Sequence, residues 1–203
     1  MRQFQIMKRP LLSIFFTIAL LTSQAQGFNV STSIGYLKTR AIDKERLNYS
    51  TEITGLYRFS NHIVVGTGLS FMKTGVIWSY RSVSPLYDRN VFTLFATAGY
   101  DYMICKNLYA TPNLDVGISW IEAQLSSHFP SERNERFSPF LGVGCDIGYR
   151  FRNVELFLGL SYYLLFDNHQ FNPDQTILTH DFIPQVDKYW HHFCFKMGVS
   201  FPF

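Results

Sequence analysis

The sequence predicts an all-β protein, an antiparallel up-and-down β-barrel of about eight strands that crosses a membrane. Three observations carry this. First, residues Tyr189 to Phe203 alternate strictly: Phe193, Phe195, Met197, Val199, Phe201 and Phe203 face one way, while His192, Cys194, Lys196, Gly198 and Ser200 face the other. A period of two gives a strand two environments, and this one is about as long as a tilted strand crossing a bilayer. Second, seven earlier segments share that period, and the spacers between them switch between long and short. Third, aromatic residues gather at both ends of the apolar faces and aliphatic residues fill the middle, as expected for two interfacial girdles around a lipid band.

Residues 1–25 read as a cleaved export signal. Arg2, Lys8 and Arg9 precede the uncharged run Leu11–Leu21, and Ser23 and Ala25 supply the small residues before a cut ahead of Gln26. The run is too short to span a bilayer as a helix, which needs about 20 apolar residues. The chain carries 18 basic and 15 acidic residues. Three of the basic ones lie in the signal, so residues 26–203, read as a single domain, are formally neutral. The overall positive charge is therefore no argument for nucleic acid.

The first strand, Gly27–Lys38, sets Phe28, Val30, Thr32, Ile34 and Tyr36 against Asn29, Ser31, Ser33 and Gly35. The second, Leu47–Phe59, sets Tyr49, Ile53 and Tyr57 against Glu52, Thr54 and Arg58. After a short turn at residues 60–62, the third covers Ile63–Lys73, with Val65, Leu69 and Phe71 outward. The fourth, Val91–Ile104, points Phe92, Leu94, Tyr100 and Tyr102 outward and Thr93, Thr97 and Asp101 inward, with Phe95 an apolar exception among the inward residues. Cys105-Lys106-Asn107 turns the chain into the fifth strand, where Leu114, Val116, Ile118 and Trp120 oppose Tyr109, Asn113 and Asp115. In the sixth, Leu141, Val143, Cys145, Ile147 and Tyr149 oppose Asp146, Arg150 and three glycines. Arg152-Asn153 leads to the seventh, where Leu156, Leu158, Leu160 and Tyr162 oppose Glu155, Ser161 and Tyr163. The long connections, 39–46, 74–90, 122–137 and 167–188, would then share one side and the short turns the other. A soluble β-sandwich also alternates, but it does not explain aromatic residues gathered near both ends of the outward faces. The three cysteines fall in a turn (Cys105), on an apolar face (Cys145) and on a polar face (Cys194), which fits no disulfide framework.

This chain resembles the small eight-stranded OmpA/OmpX-type barrels of Gram-negative outer membranes. More closely, it resembles the "outer membrane protein beta-barrel domain", or porin-like, family common in Bacteroidetes. The Ala25-Gln26 junction, the glycine-rich sixth strand from Phe140 to Phe151 and the terminal Phe203 carry the likeness. The resemblance implies an outer-membrane location, short periplasmic turns and long extracellular loops. It also implies contact with outer-membrane lipid, and delivery to the barrel-assembly machinery through a C-terminal signal of Phe195, Met197, Val199, Phe201 and Phe203. It fixes no activity.

An eight-stranded barrel is just wide enough for its inward side chains to fill it. The inward face carries Glu52, Arg58, Asp101, Asp115, Asp146, Arg150, Glu155 and Lys196. Glu52, Asp115, Asp146 and Lys196 are expected near mid-barrel, with Lys196 paired to at least one carboxylate. Arg58 and Arg150 are expected lower, near Asp101 and Glu155. These residues suit a polar core that holds the wall closed; an ion or solute path is the alternative. The loops offer apolar residues for recognition of an extracellular ligand or protein: Trp78, Tyr80 and Tyr87 in the second, Phe171 and Phe182 in the fourth. The third loop, 122–137, reads as polar and mobile.

Enzymatic readings find little to stand on. The run His191-His192-Phe193-Cys194 lacks the Ser and Asn of the lipid A deacylase run, although His192 and Cys194 share a face. A lipid A-modifying activity is the weakest of the three readings. His191 and His192 point to opposite faces, so one metal cannot take both. His128, His169 and His180 lack ligand spacing. No catalytic residue, metal site or cofactor is expected, and the barrel is expected to be a monomer.

Overall fold

A computed structural model describes residues 27–39, 44–45, 48–77, 86–126, 132–166 and 189–203. The residues assigned to the export signal lie outside this set. So do Trp78, Tyr80 and the whole fourth loop, 167–188, with Phe171 and Phe182.

Eight strands build the wall: β1 (Phe28–Thr39), β2 (Tyr49–Arg58), β3 (Ile63–Ile77), β4 (Leu86–Tyr100, resumed as Tyr102–Cys105), β5 (Leu108–Ser126), β6 (Glu132–Arg150), β7 (Glu155–Phe166) and β8 (Tyr189–Pro202). Each pairs antiparallel with its neighbours in sequence, and β1 pairs with β8 from Asn29↔Pro202 to Thr39↔His192, which closes the barrel. Lys44–Glu45 adds a two-residue patch on β3, opposite Val76 and Ile77. No helix is long and apolar enough to cross a membrane among the described residues. The crossing is made by strands, whose backbone groups are satisfied by neighbours all round the cylinder.

The register fixes the geometry. Following paired residues once around from Phe28 leads through Tyr57, Val65, Ala98, Leu114, Val143, Tyr162 and Phe193 to Lys38. The path returns to β1 ten residues further along. With about 3.3 Å per residue and about 4.8 Å between strands, this shear tilts the strands by roughly 40°, within the range for membrane barrels.

The exposed and buried faces fall as the alternation requires. Outward Ile34, Ile53, Leu69, Leu94, Val116, Val143, Leu158 and Met197 are exposed to the lipid level, while inward Ser31, Ser50, Thr93, Ser119, Ser161 and Ser200 are buried. Contacting rings mark the long-loop end: Phe71–Phe92, tilted, at 4.8 Å and Phe92–Trp120, stacked, at 5.4 Å. At the short-turn end, Tyr57–Phe59, Tyr100–Tyr102 and Tyr149–Phe151 lie 4.5–4.9 Å apart. In the Ser60–His62 turn His62 takes a positive φ of 70°, and the Asn61 side chain accepts from the Ile63 N–H.

Two loop boundaries need correction. β3 runs on to Ile77 and β4 begins at Leu86, so much of the expected 74–90 loop is strand, and Tyr87 lies within β4. The 122–137 segment, read as a mobile loop, is instead paired in register from Glu122↔Glu135 to Leu125↔Glu132. β5 and β6 reach 19 residues each, against about 9–11 needed to cross the bilayer. The extra length stands beyond the membrane as a wall, tall on the β3–β6 side. Polar residues on both of its faces erase the hydrophobic alternation while the backbone ladder continues, so its strands carry no sequence signal of period two.

Candidate functional site: the barrel interior

Inward side chains fill the barrel in layers. Nearest the short turns, Glu155 on β7 is 1% exposed and gathers donors from several strands. Arg58 Nη1 lies 2.7 Å from its Oε2, Arg150 Nε 2.5 Å from its Oε1, and the Tyr109 hydroxyl donates to Oε2 at 3.1 Å. Arg58 also pairs with Asp101 at 2.9 Å, and Thr111 donates to the other Asp101 oxygen at 2.6 Å. Both guanidinium carbons lie over the Tyr109 ring, at 5.4 and 5.2 Å from its centroid. Two cations and two carboxylates thus neutralise one another, clamped on an aromatic ring.

Gly148 on β6 is what admits that ring, because a Cβ there would meet the Tyr109 ring and hydroxyl. Gly148→Leu is expected to cost about 1–3 kcal/mol by overpacking, read as a lower midpoint in urea unfolding from lipid vesicles. A stability equal to wild type would show that Tyr109 can swing aside at no cost.

Four to six residues higher along the strands (Arg150 to Asp146 on β6, Arg58 to Glu52 on β2), Lys196 on β8 lies 3.6 Å from Glu52 and 3.4 Å from Asp146. Glu52 accepts from the Tyr163 hydroxyl at 2.5 Å and from Ser33 at 3.4 Å, and Asp146 accepts from Asn113 at 3.2 Å. Asp115, 6% exposed, takes a hydrogen bond from Thr97. Between the two layers is a cavity of about 60 Å³ lined by groups from both, including Arg58, Asn113, Asp115, Asp146 and Lys196. It has room for a few water molecules. The eight polar residues read from the sequence therefore meet in two layers, with formal charge −2 from three cations and five carboxylates.

The sequence reading missed the third layer. Leu37, Met72, Val91, Phe95, Ile121, Phe140, Tyr163, Leu165 and Cys194 form one buried apolar cluster across the barrel above Lys196. Phe95–Phe140 and Phe140–Tyr163 rings lie 6.1 and 5.3 Å apart. The polar lumen is thus interrupted by an apolar layer above Lys196. A signal existed: Met72, Val91, Ile121 and Leu165 keep the inward phase, but they stand at strand ends where the alternation was lost. Above the cluster, Asn48, Arg89 and His192 are buried, and Asn48 accepts from the Gly75 N–H at 2.7 Å.

His191 and His192 do face opposite sides: His191 meets Tyr162 on the outer wall, whereas His192 is buried. Cys194 lies 3.3 Å from the Ser50 hydroxyl in the apolar layer, and Cys105 and Cys145 are exposed. Among the described residues, no group of three or more His, Cys, Asp or Glu side chains is placed to hold a metal ion.

The fold and its interior define a class, the small eight-stranded transmembrane barrels of bacterial outer membranes. Among solved structures, the chain is similar to Neisserial surface protein A, with a TM-score of 0.56 at 18% identity over 87% of this chain and 97% of that one. It is also similar to a major outer membrane protein from Thermus thermophilus (TM-score 0.54, 11% identity, 87% and 98% covered). The outer membrane protease OmpT from Escherichia coli gives 0.51 at 7% identity, with 88% and 97% covered. At these identities the likeness is one of fold. No family model matches the chain, and no curated protein matches it.

Proposed function

We propose that the protein is a non-conducting, non-enzymatic barrel of the outer membrane, exported by cleavage after Ala25, whose work is done at its extracellular face. One observation carries this: the apolar layer from Leu37 to Cys194 lies across the lumen above a neutralised ion-pair layer. An ion entering from outside would have to shed its hydration among Phe95, Phe140 and Tyr163, and buried charge without partners is costly. The channel reading is correspondingly weaker. The tall wall of β3–β6, with the connections that hold Trp78, Tyr80, Phe171 and Phe182, is the surface left for a ligand or protein partner. Tyr87, inside β4, belongs to that wall. The β8 residues Phe195, Met197, Val199, Phe201 and Phe203 would serve assembly, through the machinery that inserts such barrels.

The test is conductance. Residues 26–203, refolded and inserted into a planar bilayer, are expected to stay silent, with a heat-dependent gel shift as the control for folding. Steady, reproducible openings would overturn the plug and restore the channel reading. Replacing residues 78–85 and residues 167–188 each with an Asn-Gly turn is expected to abolish partner binding while leaving that gel shift intact.

A further inference from the structure

The outer wall carries charge at the membrane boundary in one sector. Lys38 on β1 and Lys73 on β3 are exposed and keep the outward phase. Tyr36 pairs with Tyr49, and Tyr49 with Lys73, so the three form one register row, and Lys38 stands two residues above Tyr36. With the tilt derived above, each residue along a strand climbs about 2.5 Å and each step to the next strand about 3 Å. Lys38 is then about 5 Å above Tyr36 and Lys73 about 6 Å above it, so the two ammonium groups stand at one depth. Their Cα atoms are roughly 12 Å apart, within reach of one headgroup placed between the two side chains.

Tyr36, Tyr49 and Phe71 lie at or just below this level, in the outer aromatic girdle, with the Tyr49 and Phe71 rings 6.1 Å apart. Below them the wall is indented. Two apolar grooves share Thr32 and Thr51, short side chains set among Ile34, Ile53, Leu158, Phe71 and Met197. The adjoining sector, which starts at the strand paired with β3, carries carboxylates at a greater height: Asp88, Glu122 and Glu135 keep the outward phase on β4–β6. By the same climb, Glu122 and Glu135 stand about 6–10 Å above the lysine level, clear of the headgroups.

We infer that the Lys38–Lys73 sector is a binding site for a phosphorylated outer-leaflet lipid. The phosphate would sit between the two ammonium groups above Tyr36 and Tyr49, with acyl chains in the grooves at Thr32 and Thr51. Charge complementarity selects the occupant: a phosphate is attracted at this depth only here among the described residues, and the grooves ask for hydrocarbon directly beneath it.

The experiment uses the folded barrel in phosphatidylcholine nanodiscs doped with either bisphosphorylated or fully dephosphorylated lipid A, with retained lipid counted by native mass spectrometry. Wild type is expected to retain the phosphorylated form in preference to the other. Lys38→Gln and Lys73→Gln are each expected to weaken retention about fivefold, and the double variant about thirtyfold, from the attraction of a near-surface lysine to anionic lipid. Lys106→Gln, in the turn at the opposite end, is expected to leave retention unchanged. All four variants remove exposed charges outside the interior layers, and the heat-dependent gel shift verifies their folding. Equal retention of both lipids by wild type would overturn the inference, and so would a double variant that retains phosphorylated lipid as wild type does.

Discussion

Lys196→Met is expected to destabilise the folded barrel by about 3–5 kcal/mol, the usual cost of removing one member of a buried ion pair. Lys196 is 8% exposed and lies within 3.6 Å of both Glu52 and Asp146, with Asp115 in the same layer. Without it, three carboxylates face a narrow lumen at mid-membrane depth with no cation of their own layer. Methionine keeps the length of the side chain, so the loss reports charge rather than a void. Adding Glu52→Gln, Asp115→Asn and Asp146→Asn to Lys196→Met is expected to recover most of the loss, because uncharged amides leave no stranded ion in that layer. Urea unfolding in lipid vesicles, followed by tryptophan fluorescence and gel shift, measures both. A loss below about 1 kcal/mol for the single variant would mean that the lysine is not what compensates this layer.

Glu155→Ala is expected to cost a comparable amount, about 3–5 kcal/mol, for the opposite reason. It strands cations: Arg58 and Arg150 would keep only Asp101 between them, and the Tyr109 hydroxyl would lose its acceptor. The partner substitution Arg150→Ala gives the contrast. The Arg150 side chain is 37% exposed and water can replace what it offers, so its loss is expected to cost about 0–1 kcal/mol. The Glu155 effect should also persist in high salt, since buried pairs are poorly screened. Equal costs at Glu155 and Arg150 would show that the lower layer is wetter than its geometry indicates.

The readable part of this molecule was the part in contact with lipid. Outward Ile34, Leu69, Leu94, Val143 and Met197 must be apolar and inward Ser31, Ser70 and Ser200 need not be, so alternation located all eight strands. The inward charges could be placed too, because phase gives the side and distance from a short turn gives the depth. The sequence reading put Arg58, Asp101, Arg150 and Glu155 below Glu52, Asp146 and Lys196, and the structure places them in that order. Where neither face meets hydrocarbon, the signal failed. From Glu122 to Leu125 and from Glu132 to Arg136, the strands are held by backbone bonds that constrain side-chain polarity weakly. The apolar plug was hidden differently: Ile121 and Leu165 are apolar on the face where polar residues were expected, and they sit beyond the last position at which the two faces could be told apart.

The pairing of β1 with β8 bears on how this protein comes into being. Asn29 and Pro202 are neighbours in the finished wall and almost the whole described chain separates them, and the Phe203 N–H donates to the Phe28 carbonyl at 2.8 Å. Every other seam joins strands that follow one another, and those can zip from a local turn. This one has to wait, and contacts of such separation make folding slow. Until it forms, the sheet has two raw edges with unmet hydrogen bonds, the state in which β-rich chains find wrong partners. The vulnerable species is therefore the nearly complete open sheet, and any variant that delays β8, rather than one that loosens the interior, should lower yield without lowering the stability of the molecules that do close.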